Sequence, residues 1–298
     1  MRDTPSGSDL AVQARVTVNA AGPWVDTVRS LAGEIKGKQL HLTKGIHVVV
    51  PQQRLPISEI VVMHASDGRS TFAIPRGDIV YVGTTDTSYP QPVDRPKITG
   101  KDVEYLLAAV DWTFPDVRLR VEDVTGAWAG LRPLLHQEGK SPSEISRRDE
   151  IMVSPSGLIS IAGGKLTTYR RMAERVVDRV GKVLKERFGR AFPGSNHTAD
   201  HPLSGGDMGR GISFTDFCQR LEKEAVLYSL EEEMVMTVED FLDRRTSASL
   251  FTPDNGLGVL AQVAHIIASH LGWDTERTQR EIEAYRTLVQ EMKAFVRG

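Results

Sequence analysis

One stretch limits what this chain can fold into more than any other: Gly157-Leu-Ile-Ser-Ile-Ala-Gly-Gly-Lys-Leu-Thr-Thr-Tyr-Arg-Arg-Met172. Leu158 to Ala162 is a short apolar run with two isoleucines, the composition of a buried strand, and Gly163-Gly164 ends it. Beyond the glycines the period changes. Leu166, Tyr169, Ala173, Val176, Val180 and Leu184 step by three and four, while Arg170, Arg171, Arg175 and Arg179 fall between them as a solvated face. Strand, glycine turn and helix in this order make a βα unit. A glycine turn admits a ligand close to the backbone, and the helix behind it aims free N–H groups and the positive end of its dipole at whatever lies there. Lys165 stands at that mouth. On these residues alone an ordinary βα turn is an equally good reading, so the other segments have to decide.

The chain reads as though it starts inside a larger domain. Ala11 to Ala20 has the pattern of a strand, and Ala21-Gly-Pro-Trp24 ends it before a short helix at Val25 to Leu31. A lone βα unit of this kind needs neighbouring strands to bury both faces. From Gln39 onward the pattern is a series of strands, Gln39 to Val50, Ile60 to His64, Ser70 to Ile74 and Ile79 to Gly83. Hairpin-grade breaks at Asp67-Gly68 and Arg76-Gly77-Asp78 predict an antiparallel sheet. Thr99 caps a helix with Asp102 as its partner three residues on and Val103, Leu106, Leu107 and Val110 on the buried face. A strand at Val121 to Trp128 then runs into Ala129-Gly-Leu-Arg-Pro133. Beyond Phe192 a Pro/Gly linker leads to helical patterns at about Ser213 to Arg244, Gly258 to Leu271 and Asp274 to Val296. The reading is α/β plus α, with segments 1–38 and 151–192 forming one α/β domain, 39–150 a sheet domain and 193–298 an all-helical domain.

Several function classes drop out. A net charge of −2 over 298 residues gives no electrostatic case for nucleic acid. Cys218 is the only cysteine, so no internal disulfide forms, and no Cys/His set has zinc spacing; a reducing cytoplasmic setting and no metal are the expectation. No apolar run approaches the length of a membrane span, so any membrane contact is expected to be peripheral. Gly256-Leu-Gly258 follows a polar loop where a dinucleotide fingerprint requires a strand, and reads as a helix start.

Seven segments in order decide between the readings. Val18-Asn-Ala-Ala-Gly-Pro-Trp24, Leu42-Thr-Lys-Gly-Ile-His47, Phe72-Ala-Ile-Pro75, Gly83-Thr-Thr-Asp86, Ala129-Gly-Leu-Arg-Pro133, Ser141-Pro-Ser-Glu-Ile-Ser-Arg147 and Ala162-Gly-Gly-Lys-Leu-Thr-Thr-Tyr169 together resemble FAD-dependent glycerol-3-phosphate dehydrogenase. The likeness covers roughly residues 1–207, and Met234 to Arg245, with Thr237-Val-Glu-Asp-Phe-Leu-Asp-Arg-Arg245, is similar to that family's C-terminal helical domain. It departs in two places: no N-terminal phosphate loop for the adenosine half of FAD is present, which reads as a C-terminal portion, and between about Phe217 and Glu233 the chain reaches its next motif too soon, as though tens of residues were missing.

The resemblance implies the end of a Rossmann-like FAD-binding domain, an antiparallel-sheet substrate-binding domain and a helical C-terminal domain. It implies oxidation of sn-glycerol 3-phosphate at C2 to dihydroxyacetone phosphate, with electrons passed from the flavin to a quinone. Peripheral association with the inner face of the membrane and a homodimer come with it. By similarity Arg132, Arg147 and Lys165 hold the substrate, a set that suits a phosphate dianion because charge-assisted hydrogen bonds are strong. Gly22, Trp24, Gly163, Gly164, Lys165, Leu166, Thr167 and Thr168 are expected at FAD. Removing a hydride from C2 requires a base for the hydroxyl proton, and His47 is the candidate, with Arg132 and Lys165 beside it in the catalytic set. Two alternatives stay open: an amine or amino-acid oxidase of the same flavin superfamily, which would bind a carboxylate with one arginine, and a non-catalytic substrate-cap and interaction module.

Overall fold

A computed structural model describes residues 7–33, 35, 37–136, 148–191, 196–201 and 221–297. The chain divides into two compact units, one of residues 1–43, 87–94 and 131–201, the other of residues 44–86, 95–130 and 202–298.

The first unit is built on three strands, β1 (Val18–Asn19), β8 (Glu150–Val153) and β9 (Ile159–Ala162), in the order β1-β9-β8. β1 runs parallel to β9, and β8 runs antiparallel to it. Alternation along β9 sends its side chains to two helices. Ala162 packs with Val25 at the start of α1 (Val25–Leu31), together with Leu40, Leu135 and Met152. Ile159 and Ile161 pack with Val176, Val180 and Val183 of α3 (Tyr169–Phe188). The strand expected over Ala11 to Ala20 is only Val18–Asn19; Asn19 is buried, and its side-chain amide donates to the Val25 carbonyl at 2.9 Å and to Ser160 Oγ at 3.2 Å. That residue fastens the turn after β1 to β9, and it explains a polar side chain in an apolar run.

The sheet of the second unit is made by β2 (Leu40–Pro51), β3 (Val61–His64), β4 (Ser70–Arg76) and β5 (Ile79–Gly83), in the order β3-β4-β5-β2. Both expected hairpins are present and antiparallel. The short β6 (Thr87–Ser88) follows β2 in the sheet order, and β7 (Gly126–Leu135) also pairs with β2. β7 starts later than expected, because Val121–Asp123 forms a 3-10 turn in which Asp123 accepts from the Arg120 N–H and from Nε and Nη2 of Arg54. The strand therefore carries Ala129-Gly-Leu-Arg-Pro133 inside it. One face of the sheet is closed by α2 (Gly100–Thr113), whose Val103, Leu106, Leu107 and Val110 meet Ile46, Val48, Val50, Ala73, Val80 and Val82. Each such buried aliphatic contributes about 1.5–3 kcal/mol by leaving water. Thr99 and Asp102 form the expected capping box.

Lys44 adds something the sequence did not disclose. Its ammonium is buried and donates to Asp102 Oδ2 at 2.6 Å and to the Lys97 carbonyl at 2.9 Å. Burial alone would push the Asp102 carboxyl up, but the hydrogen bonds from Lys44 and Thr99 outweigh it and hold the group below the ordinary carboxylate value. Its stabilising effect is therefore present above the unfolded pKa of about 3.9 and is lost as pH falls through the lower folded value. Lys44→Met leaves an uncompensated buried carboxylate and is expected to cost roughly 3–5 kcal/mol at pH 7 in urea unfolding. In Lys44→Met the loss should shrink in acid, where Asp102 is protonated; an equal loss at both pH values would show that packing, and not charge, is at stake.

The described residues 221–297 group with this sheet unit. The long pattern expected from Ser213 to Arg244 is broken, with its first residues outside those described: α4 (Lys223–Glu232) ends before Met234 at φ 57°, and a π-helical turn covers Asp240–Arg245. Asp240 accepts from the Met236 and Thr237 N–H groups, which starts that turn separately. α5 (Ala248–Phe251), α6 (Leu260–Leu271) and α7 (Thr275–Met292) follow, around a core of Phe241, Leu242, Val263, Ile267, Ile282 and Tyr285. Among the described residues no helix is long and apolar enough to cross a membrane, and no cluster of three or more His, Cys, Asp or Glu could hold a metal ion.

Candidate functional site

In the first unit, two turns leave the C-terminal ends of adjacent parallel strands. β1 pairs with β9 through Val18 with Ile159 and Asn19 with Ser160, so Gly22–Trp24 and Gly163–Thr168 both lie beyond the same sheet edge. Each turn enters a 3-10 segment and then a helix, α1 on one face and α3 on the other. In open α/β sheets ligands bind outside the carboxyl ends of strands where the connections part to opposite faces.

The start of α3 is uncapped. Lys165 and Thr168 make no side-chain cap, and no acidic side chain lies in the first turn. Thr168 spends both its N–H and its hydroxyl on the Lys165 carbonyl, each at 2.9 Å. That leaves the N–H groups of Leu166 and Thr167, which geometry denies an acceptor inside the turn. Leu166 and Tyr169, expected on the buried stripe of the helix, are instead 88% and 58% exposed. The strand below them ends at Ala162 and packing begins only at Met172, so the first turn overhangs the sheet. Trp24 is 39% exposed at the neighbouring strand end, with its indole N–H on Asp94 Oδ1 at 3.0 Å. Uncapped donors between exposed apolar side chains fit a planar, hydrogen-bond-accepting ring system such as the isoalloxazine of FAD.

The glycines divide by role. Gly163 and Gly164 have φ of 78° and 82°, and a Cβ on either would meet the Arg148 carbonyl oxygen or Met172 Sδ at 2.5 Å. Their space is taken by the protein itself, so they serve the turn more than the close approach of a ligand. Gly22, at φ 56°, would place a Cβ in open space. The turn is held from outside by Asp149, which pairs with Arg175 of α3. Arg132 lies half-buried in β7 and Lys165 is exposed at the turn. Arg147 falls outside the described residues.

His47 belongs to the second unit. Its strand partner is Gly83, which pairs in turn with Phe72, and Phe72 pairs with Val62, so the four form one row across the sheet on the face opposite α2. Val62 and Phe72 are exposed and His47 is half-buried. The imidazole stacks on Trp128 with centroids 4.6 Å apart and planes at 10°, and Tyr81 approaches edge-on at 6.2 Å. Gly83 meets His47 through strand register and Trp128 meets it through ring packing, neither of which local sequence discloses.

Residues 2–170 match the family model described as FAD dependent oxidoreductase. The chain belongs to the FAD-dependent oxidoreductase family. Residues 215–278 also match the C-terminal domain of alpha-glycerophosphate oxidase. The aerobic glycerol-3-phosphate dehydrogenase of Bacillus subtilis strain 168 is 35% identical over 338 residues, covering 98% of this chain and 61% of that protein. The enzyme of the same name from Staphylococcus saprophyticus is 37% identical over 336 residues, covering 97% and 59%. Among solved structures, the glycerol-3-phosphate dehydrogenase from Bacillus halodurans complexed with FAD matches with a TM-score of 0.81 and 33% identity, over 98% of this chain and 65% of that one. The chain thus spans about three fifths of the length of its curated relatives. Because the aligned stretch of 338 residues exceeds the 298 present here, the relatives carry internal residues with no counterpart in this member of the family.

Proposed function

We propose that this family member takes part in the flavin-dependent oxidation of sn-glycerol 3-phosphate at C2, giving dihydroxyacetone phosphate. The observation that carries this reading is the uncapped, apolar-flanked start of α3 beyond the C-terminal end of β9, in a chain whose relatives are named for that reaction. FAD, when bound, supplies the acceptor for the C2 hydride.

The Leu166 and Thr167 N–H groups would hold a hydrogen-bond-accepting edge of the flavin; donors at a helix start favour the added negative charge of the reduced form, by about 0.3–1 kcal/mol from the helix end alone and up to about 2 where partly buried. Gly22, Trp24, Gly163 and Gly164 shape the neighbouring strand ends. Arg132 and Arg147 would hold the substrate phosphate, and Lys165 would stand between substrate and flavin. His47 takes the C2 hydroxyl proton as the carbonyl forms. Exclusion of water by apolar walls such as Leu166 strengthens each of these charge contacts. Electrons leave to a quinone, and the intact enzyme works as a peripheral protein on the inner membrane face, as a homodimer.

Arg132 provides the test. In the FAD-loaded enzyme Arg132→Ala is expected to raise KM for glycerol 3-phosphate by at least about 10-fold, the loss of one charge-assisted contact, with a much smaller effect on glycerol. Equal losses on both substrates would assign Arg132 a structural role.

A further inference from the structure

Behind His47 lies a run of rings that reaches the C-terminal helical segment. On one side the imidazole covers Gly83, so closely that a Cβ there would fall 2.0 Å from His47 Cδ2. On the other it stacks on Trp128 at 4.6 Å. Trp128 in turn meets the ring of Phe251 at 5.8 Å and 89°, and Phe251 belongs to α5, is buried, and carries the Arg76 guanidinium 4.6 Å above its ring. Tyr81 touches this run from the side, 5.8 Å from Trp128 and 6.0 Å from Phe251.

We propose that Gly83, Trp128 and Phe251 are positioning residues for His47, and that through Phe251 the C-terminal helical segment sets the plane of the imidazole. This rests on the reading of His47 as the base. A strand histidine facing an open sheet surface has several staggered rotamers. Here one face of the ring is closed by an indole and the other by backbone that only glycine leaves clear, so a single plane survives. Trp128 by itself stands on a strand and could tilt; the edge contact from Phe251 closes that movement. A proton acceptor has to lie within hydrogen-bond reach of the hydroxyl, and misplacement by about 1 Å can cost about 10²-fold in rate. Holding the base is thereby a task of the helical segment.

The test combines a structural and a kinetic readout on the same variants. In the folded chain, labelled histidine should show one imidazole resonance displaced by the indole ring current, assigned to His47 by its disappearance in His47→Gln. Trp128→Leu should abolish the displacement and Phe251→Leu, a milder change that keeps bulk, should reduce it. In the FAD-loaded enzyme Trp128→Leu is expected to lower kcat by about 10- to 10²-fold with KM for glycerol 3-phosphate nearly unchanged, and Trp128→Phe, which can still stack, should recover most of that loss. Phe251→Leu should give a smaller drop of the same kind, accompanied by a shift of the acid limb of the kcat profile. The proposal is overturned if the ring-current displacement is lost in Trp128→Leu while kcat and its pH limb stay at wild-type values in an enzyme that His47→Gln inactivates. If His47→Gln itself retains full activity, the assignment of the base has failed, and the positioning role falls with it.

Discussion

His47→Gln in the FAD-loaded enzyme is expected to lower kcat by at least about 10²-fold while leaving phosphate-dependent binding of the substrate nearly unchanged. Glutamine fills a similar volume and can still hydrogen-bond, but it cannot accept the C2 hydroxyl proton near neutral pH. The acid limb of the kcat profile should vanish with the histidine, since that limb reports the base in the enzyme–substrate complex. The half-buried imidazole beside Trp128 and across from Gly83 is well fixed for this task. Retention of both rate and limb would move the base to another residue.

Gly163→Ala should have the largest effect on stability among the turn residues. A residue with a Cβ at φ 78° costs about 1–2 kcal/mol, and here that Cβ would lie 2.5 Å from the Arg148 carbonyl oxygen, a backbone atom with no freedom to swing aside. Overpacking of that kind adds about 1–3 kcal/mol. The sum, roughly 2–5 kcal/mol, is a large share of the 5–15 typical of a domain. Gly22→Ala, with open space around its Cβ, should cost only about 1 kcal/mol of strain yet weaken flavin binding. Urea unfolding of both variants, set beside flavin titration, checks the contrast: equal stability losses would mean that the two glycines do the same job.

Much of the fold was legible in local sequence. The helix at Val25–Leu31, the strand at Ile79–Gly83, both hairpins and the Thr99–Asp102 capping box follow from turn chemistry and period, because each is decided by residues a few positions apart. The strand before Asn19 was overestimated, since an apolar run does not by itself supply a hydrogen-bonding partner. The helix after Lys165 has the right period, yet periodicity gives no sign that Leu166 and Tyr169 overhang the end of β9 and stay exposed. Likewise Lys44, read as part of a motif beside His47, is committed to Asp102 on the α2 side of the sheet, since strand alternation sends neighbouring side chains to opposite faces. The surroundings of His47 were the least legible, as Gly83, Trp128 and Phe251 come together only through strand register and the packing of a distant helix.

On the proposed function, a flavin held at the ends of β1 and β9 oxidises glycerol 3-phosphate. Anaerobic mixing of the FAD-loaded enzyme with glycerol 3-phosphate tests it most directly. The expected result is bleaching of the flavin's visible absorbance with formation of one dihydroxyacetone phosphate per flavin, and recovery of the oxidised spectrum on adding a quinone. A flavin that stays oxidised with glycerol 3-phosphate but is bleached by an amine or an amino acid would contradict it.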